Sequence, residues 1–484
     1  MKIKDLKPQL IWSYFDEITQ VPRPSKKEEK IRAYLLGFAE KHQLAARTDA
    51  IGNVLITKPA TPGCEGKPAV ILQSHMDMVC EKNADVAHDF EKDPIDTYID
   101  GEWVRARGTT LGADNGIGMA AALAVLASDD LVHPAVEALF TVDEETGLTG
   151  AFNMEEGFIS GKYLLNLDSE DEAEVFIGCA GGIDTTSTFT YTAVPFPEGH
   201  VALRIAVSKL QGGHSGSDIN AGRGNANKIL SRFLCSCLAK YDMQLCAIDG
   251  GNLRNAIPRE AWAVIAVPAD CKEAVRVDLN IFQSVVEAEL ADTDPAVTVA
   301  LSSCDAPAEC IDKKSAVALL RALYACPHGV IGMSRDMPGL VETSTNLASV
   351  KMKENHTIVV ATSQRSSVES LKRDIAGQVE NLFALAGAVP THSDGYPGWK
   401  PNLKSPLLDV AVKAYEELYG ITPAVKAIHA GLECGLFLTK NPELHMISFG
   451  PTLRGVHSPD EKMHIPAVEK FWNHLTLILK KLAQ

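Results

Sequence analysis

Short apolar runs alternate with helical stretches from about residue 68 of this chain. The runs 69–73, 136–142 and 163–167 have the length and the apolar content of buried strands. Between the first two runs, residues 116–128 (GIGMAAALAVLAS) predict a helix whose small side chains let it pack closely on a sheet. This alternation predicts an α/β domain with a mixed, largely parallel sheet.

The pattern changes near residue 186 and returns near residue 390. Between these points, Thr- and Val-rich runs alternate with predicted helices at 225–238, 315–324 and 368–386, which is typical of an α+β domain built from two related halves. A chain of 484 residues also exceeds what one hydrophobic core supports. We therefore expect a discontinuous α/β domain formed by residues 1–186 and 390–484, with an inserted α+β domain at residues 187–389.

Charge and cysteine content exclude several classes of protein. A formal net charge of -16 argues against a nucleic-acid or anionic-membrane partner. Eleven cysteines without a CxxC pair favour reduced thiols over a disulfide framework. The N-terminus lacks the pattern of a signal peptide, and no run approaches the roughly 20 apolar residues of a membrane span. We expect a cytoplasmic protein with no membrane partner.

The first candidate site residues follow the run 69–73. His75 and Asp77 are two residues apart at a predicted strand end, so their side chains project to the same side. Asp77 can then orient the His75 ring while the other ring nitrogen binds a metal ion, although a hydrogen-bonded structural histidine is the common alternative. Asp114, in GADNGIG, lies at the start of the small-residue helix, where a simple helix cap is the alternative.

Further candidate side chains follow other predicted strands. Glu144 and Glu145 are adjacent acids after the run 136–142, and they would repel each other unless a cation or proton intervenes. Neighbours on an extended chain point in different directions, which suits one metal ligand and one residue facing water; a solvated acidic loop is the alternative. Asp168 follows the next run, and His457 stands before Ser-Pro-Asp-Glu, which predicts a capping-box helix start.

Taken together, these strand ends supply two histidines and several carboxylates to one edge of a sheet, where open α/β folds build sites. The mixture is too rich in carboxylates for a closed structural zinc site. It is the mixture expected for two divalent ions bridged by one carboxylate.

The segments SHMDMV, GADNGIG, DEETG, LLNLDSE, GGHSG and GVHSPDE resemble the motifs of the M20 metallopeptidase family. The residues within these motifs are most similar to those of the family branch that hydrolyses dipeptides such as Xaa-His and carnosine-type substrates. The motifs run in the expected order from residue 72 to residue 461. The resemblance implies a di-metal catalytic domain with an inserted lid, here of the doubled kind.

The resemblance also implies a role for each site residue. Asp114 would bridge two metal ions, with His75 and Asp168 completing one site and Glu145 and His457 the other. Glu144 would be the general base and Asp77 the residue that orients His75. The resemblance further implies a cis peptide bond between Asp114 and Asn115.

Three residues of the inserted domain fall near substrate-binding positions of the family. They are His214 of GGHSG, Asn255 of RNAIP and Arg365 of SQRSS. At Arg365 the sequence departs from the family pattern, because Ser363 and Gln364 stand where an acidic residue usually precedes the arginine.

The predicted function is hydrolysis of unblocked dipeptides with two divalent ions. Zinc is the expected metal, and manganese and cobalt are alternatives that the same ligands accept. The expected partners are small peptides, and a homodimer is an open alternative to a monomer. An N-acyl amino acid amidohydrolase would use the same metal centre. A non-catalytic binding protein would be expected to have lost metal ligands or Glu144, and these residues are present. The sequence contains no motif of a serine or cysteine hydrolase.

Overall fold

The computed structural model describes residues 2–484 and separates into two compact units. The first unit comprises the chain up to residue 178 together with 401–427 and 432–484. The second unit comprises residues 179–400 and 428–431.

The first unit begins with alternating strands and helices. The strands are β1 (Ala45–Thr48), β2 (Val54–Lys58), β3 (Val70–His75), β4 (Thr97–Asp100), β5 (Trp103–Ala106), β6 (Val136–Thr141), β7 (Tyr163–Asn166) and β8 (Glu174–Cys179). The helices are α1 (Gln9–Thr19), α2 (Glu29–Lys41), α3 (Ala113–Ala127), α4 (Glu144–Gly147) and α5 (Thr149–Asn153). The three predicted strands and the predicted small-residue helix are confirmed as β3, β6, β7 and α3.

The second unit contains thirteen of the described strands and four of the described α-helices. The strands are β9 (Gly181–Thr190), β10 (Ala193–Pro195), β11 (His200–Ser208), β12 (Gly213–His214), β13 (Gln244–Gly250), β14 (Ala256–Ile257), β15 (Ala261–Pro268), β16 (Thr298–Ser303), β17 (Glu309–Ile311), β18 (Gly329–Met333), β19 (Val341–Lys353), β20 (Thr357–Ser366) and β21 (Val389–His392). The helices are α6 (Ala226–Lys240), α7 (Lys272–Glu289), α8 (Lys313–Ala325) and α9 (Glu369–Leu385).

The chain then completes the first unit. The remaining helices are α10 (Pro406–Tyr419), α11 (Cys434–Lys440) and α12 (Ile465–Leu482). The remaining strands are β22 (Ala424–Ile428), β23 (His445–Ser448), β24 (Leu453–Arg454) and β25 (Lys462–His464). Across residues 2–484, the helices all fall short of the length and hydropathy that a membrane span requires.

The main sheet of the first unit is mixed, in the order β1-β2-β6-β3-β7-β23-β8-β22. Its four central strands, β6, β3, β7 and β23, are parallel neighbours, whereas β1, β2 and β8 pair antiparallel. The expectation of a largely parallel sheet is therefore correct only for the centre. Apolar runs predict buried strands, but they do not encode the direction of the strands that flank them.

Helix α3 packs on this sheet through small side chains. Ala120, Ala121 and Ala122 are fully buried. A Cβ atom on Gly118 would lie 2.7 Å from the carbonyl oxygen of Leu167, so only glycine allows the observed approach. This contact holds the start of α3 beside the end of β7.

The main sheet of the second unit is antiparallel, in the order β16-β11-β15-β13-β19-β20-β9-β21, with β18 added beside β19. Its two halves meet in a short ladder that pairs Asp249 with Lys351 and Gly250 with Val350. Helices α6 to α9 bury apolar residues in its core, including Phe233, Leu320 and Phe383. The unit thus combines an antiparallel sheet with helices that pack against it.

Candidate metal centre

The predicted ligands lie at one edge of the first unit's sheet. His75 ends β3, Asp168 follows β7, and Glu145 follows β6. Because β6, β3 and β7 are parallel neighbours, their carboxyl ends meet at the same edge. Asp114 at the start of α3 and His457 in the loop after β24 lie at the same edge.

Asp114 lies between the two histidines. Its Oδ1 atom is 3.0 Å from Nε2 of His75, and its Oδ2 atom is 3.2 Å from Nε2 of His457. Each carboxylate oxygen therefore faces a different imidazole. This is the arrangement that a bridging carboxylate requires.

One further acid stands on each side of Asp114. Oδ1 of Asp168 lies 3.5 Å from Nε2 of His75, and Oε2 of Glu145 lies 3.0 Å from Nε2 of His457. Ligand atoms about 2.0–2.2 Å from a tetrahedral zinc ion are roughly 3.3–3.6 Å apart. The donor atoms therefore have the chemistry and approximately the spacing of two neighbouring divalent-ion sites.

Asp77 connects this pair of sites to the acidic turn. Its Oδ1 atom lies 3.3 Å from Nδ1 of His75, which leaves Nε2 directed toward Asp114. The backbone N–H groups of Glu144 and Glu145 donate to the Asp77 carboxylate at 3.1 and 3.3 Å, and Ser25 donates at 2.8 Å. One buried carboxylate thus contacts both the His75 ring and the backbone at the start of a turn.

The adjacent acids are not on an extended chain, and that part of the prediction is wrong. Glu144 and Glu145 begin the one-turn helix α4, directly after Asp143, whose φ is 48°. A left-handed residue other than glycine costs roughly 1–2 kcal/mol. Thr146 and Thr149 donate to the Asp143 carboxylate and hold this conformation, with the Thr146 bond at 2.6 Å.

The peptide bond between Asp114 and Asn115 is cis, as expected. The Asn115 side-chain amide donates to the carbonyl oxygen of Leu167 at 3.0 Å and also to Asp168 Oδ1. The residue after the predicted bridging acid therefore contacts a second predicted ligand.

Glu461 corrects the sequence interpretation of the segment after His457. No helix begins at Ser458; a turn leads into β25, and the next helix starts at Ile465. Instead, Glu461 accepts four backbone N–H groups, from Leu111, Gly112, Ala113 and Asp114 at 2.7, 2.9, 2.8 and 3.3 Å. The segment that supplies His457 thus also anchors the loop that supplies Asp114.

Replacing Glu461 by glutamine should weaken both the fold and metal binding. A glutamine has one acceptor oxygen and an amide that faces N–H donors, so buried donors lose partners at a cost on the order of 2–4 kcal/mol. We expect a lower Tm and weaker zinc binding in a chelator competition. Glu102→Gln is the matched control because the Glu102 side chain is 77% exposed. An unchanged Tm and zinc affinity in Glu461→Gln would contradict the anchoring role.

Arg23 is a buried cation under the site that the sequence did not reveal. It donates to the carbonyl oxygens of Met76 at 3.2 Å, Asp77 at 2.6 Å, and also Gly112. Burial lowers its pKa, and the charge of nearby Asp77 and Glu461 opposes that shift. Arg23 therefore joins the loops of two predicted site residues, and no local motif marks it.

Glu433 is a second residue that the sequence analysis missed. Its Oε2 atom accepts from Gln73 at 2.6 Å and Thr141 at 2.8 Å, below the ends of β3 and β6. Asn166 donates to Gln73 at 2.5 Å and extends the network to β7. Burial raises the pKa of Glu433 to about 8. This polar network couples the strand ends that carry the predicted ligands.

The titration of the site reflects its excess of carboxylates. Burial alone would lower the pKa of His75, but Asp168, Asp114 and Asp77 raise it well above its ordinary value. Hydrogen bonds to Asp114 and Glu145 raise the pKa of His457 to about 11. Burial, with Asp168 and Glu145 nearby, raises the pKa of Glu144. The cluster therefore attracts positive charge, which protons or metal ions can supply.

In the second unit, the backbone fixes the tautomer of His214. The N–H groups of Gly216 and Ser217 lie 3.2 and 3.1 Å from its Nδ1 atom. Burial and the charge of Arg365 lower its pKa. A neutral ring whose Nδ1 accepts hydrogen bonds carries its proton on Nε2, so His214 is a hydrogen-bond donor.

The two other predicted substrate residues line one small cavity of about 140 Å³ in the second unit, together with Arg254 and Tyr396. The backbone of Asn255 also accepts from Ser215 N at 2.8 Å, next to His214. Arg365 lies inside strand β20, and its side chain is buried. Asn255 and Arg365 therefore border the same cavity.

Comparison with known proteins identifies relatives of the whole chain. A family model described as Peptidase family M20/M25/M40 matches residues 71–481. The chain is 44% identical over 481 residues to a cytosol non-specific dipeptidase of Escherichia coli (strain K12), covering 99% of each protein.

Solved structures agree with this match. The aminoacylhistidine dipeptidase of Vibrio alginolyticus superposes with a TM-score of 0.93 at 44% identity, covering 99% of this chain and 98% of that one. The aminopeptidase PepT of Bacillus cereus, at 16% identity and a TM-score of 0.58 over 99% of this chain and 100% of that one, shares the fold.

Proposed function

Since the chain belongs to peptidase family M20/M25/M40, we propose that it is a cytoplasmic dipeptidase that uses two divalent metal ions, with zinc as the expected metal. Its substrates are unblocked dipeptides, including Xaa-His dipeptides of the carnosine type. The first unit is the catalytic domain, and the second unit is its lid.

The observation that carries this proposal is the position of Asp114 between two imidazoles, at 3.0 and 3.2 Å. His75, Asp168 and one Asp114 oxygen would hold one ion, and His457, Glu145 and the other Asp114 oxygen would hold the second. Divalent ions bound there would act as Lewis acids on the peptide carbonyl group and would lower the pKa of a bound water molecule.

Glu144 is the proposed general base. It takes a proton from the attacking water and delivers it to the nitrogen of the leaving amine, a transfer that typically contributes about 10²–10⁴-fold. Asp77 supports both functions, because it contacts the His75 ring and the backbone of Glu144.

The lid residues bind the substrate. His214, neutral and protonated on Nε2, donates to the oxyanion that develops on the scissile carbonyl. Arg365 and Asn255 bind the carboxylate of the dipeptide. The guanidinium provides paired N–H donors that match a carboxylate, and Arg365 is only 7% exposed.

Replacing Arg365 by alanine should reduce kcat/KM on free dipeptides by about 30-fold up to several-thousand-fold, the effect of losing a buried charge-assisted bond. The residual rate on C-terminally amidated dipeptides should hardly change, because those substrates lack the carboxylate. Arg373→Ala, which removes an exposed arginine of helix α9, is the matched control. Wild-type kinetics of Arg365→Ala would show that another residue binds the carboxylate.

A substrate panel on reconstituted enzyme tests the function itself. Metal-free protein is reloaded with zinc, manganese or cobalt and assayed on Ala-His, carnosine, a tripeptide and N-acetylated amino acids. We expect hydrolysis of the dipeptides after reloading and little hydrolysis before it. Preference for N-acetylated amino acids would instead identify an amidohydrolase with the same metal centre. Equal rates on long peptides would contradict the dipeptidase assignment.

A further inference from the structure

Arg365 is a buried cation, and among residues 2–484 the one side chain that it hydrogen-bonds is uncharged. Its Nη1 atom donates to the phenol oxygen of Tyr396 at 2.8 Å. Its Nε atom is buried without a hydrogen-bond partner, and no carboxylate of residues 2–484 forms an ion pair with it. A buried guanidinium normally requires an anion. The chain therefore orients this charge without neutralising it.

The backbone holds Tyr396 in place. Its N–H group donates to the carbonyl oxygen of Gly182 at 2.8 Å, and its own carbonyl accepts from Gly182 N at 3.0 Å. The same carbonyl accepts from Nζ of Lys372 at 2.6 Å. Lys372 is 1% exposed and pairs with Glu369 at 2.8 Å. Burying an ammonium group costs free energy. Here the buried ammonium group of Lys372 holds the backbone carbonyl group of Tyr396 in place.

The ring of Tyr396 occupies space that two glycines leave free. A Cβ atom on Gly182 would lie 2.7 Å from the ring, and a Cβ atom on Gly431 would lie 2.9 Å from it. Any other residue at either position would displace the ring and, with it, the phenol oxygen. Backbone bonds and packing thus determine the position of the atom that accepts from Arg365.

We propose that Tyr396 is a positioning residue that directs the guanidinium of Arg365 toward the carboxylate of the substrate. The inference rests on the proposed function, in which Arg365 binds that carboxylate. A phenol suits the task because it accepts one N–H group without adding negative charge. An aspartate or glutamate at the same place would neutralise Arg365 and compete with the substrate. Tyr396 and Arg365 line the same small cavity, and the proposed substrate carboxylate would bind in this cavity beside the guanidinium.

The test is Tyr396→Phe, which keeps the ring between the glycines and removes only the hydroxyl group. We expect KM for a free dipeptide to rise by about 5- to 30-fold with kcat nearly unchanged, because carboxylate binding is shared by the ground and transition states. Kinetics on the amidated dipeptide should match those of the wild type. In Arg365→Ala, adding Tyr396→Phe should have no further effect. Tyr241→Phe is the control, since it removes a hydroxyl group that contacts Asp278.

Each other outcome has a definite meaning, provided that the Tm of Tyr396→Phe confirms folding. Normal kinetics of Tyr396→Phe beside impaired Arg365→Ala would overturn the positioning role and leave the carboxylate site intact. Equal losses on free and amidated substrates, or additive losses in the double variant, would also overturn it. Normal kinetics of Arg365→Ala would overturn both the carboxylate assignment and this inference.

Discussion

Replacing Glu144 by alanine should lower kcat/KM by about 10²–10⁴-fold while the protein keeps both metal ions. The variant removes the proposed proton carrier, but it leaves all five proposed ligands and the Asp77 contacts to the turn backbone. Single-turnover rates and metal content after dialysis measure the two effects separately.

The neighbouring acid should behave in the opposite way. Glu145→Ala removes the carboxylate that lies 3.0 Å from Nε2 of His457, so it should lose or weaken one ion. Added metal should then restore part of the activity, which it cannot do in Glu144→Ala. Glu156→Ala is the control because Glu156, in the adjacent pair Glu155 and Glu156, is exposed. Equal metal loss in the Glu144 and Glu145 variants would show that the two acids do not have separate roles.

Replacing Asp114 by asparagine should cost the protein both ions and reduce activity to background. The side chain keeps its shape, but the carboxylate that faces His75 and His457 becomes a neutral amide with one oxygen. The two sites then lose the negative charge that they share. Inductively coupled plasma mass spectrometry of the dialysed variant measures the metal content.

Asp171→Asn is the control for the Asp114 variant, because Asp171 pairs with Arg454 at the surface. Retention of one tightly bound ion in Asp114→Asn would mean that Asp114 serves a single metal. Retention of two ions would rule out the bridge.

The positions of His75, Glu145 and Asp168 were predictable because each of these proposed ligands follows a recognisable apolar strand. Apolar runs predict β3, β6 and β7. The polar residues that follow these runs are then expected at one edge of the sheet. Small residues likewise predict α3 from residue 116, where the helix becomes regular after the non-helical Asp114 and Asn115. Local periodicity thus predicts where the strands end, and the resemblance to a family implies the roles of the residues at those ends.

The supporting residues were not predictable in the same way. Glu461 accepts from backbone groups about 350 positions away in sequence, and Arg23 reaches Gly112 across 89 positions. Such pairings have no local signature. At Ser458–Glu461 the local signature even pointed to a helix cap, but satisfying four buried N–H groups outweighs one capping box.

Anomalous diffraction from crystals grown with zinc tests whether Asp114 is shared by two ions. We expect two peaks about 3.5–4 Å apart. One peak should lie among His75, Asp168 and Oδ1 of Asp114, and the other among His457, Glu145 and Oδ2 of Asp114. A single peak beside Asp114, or no peak there, would show that Asp114 does not bridge two ions.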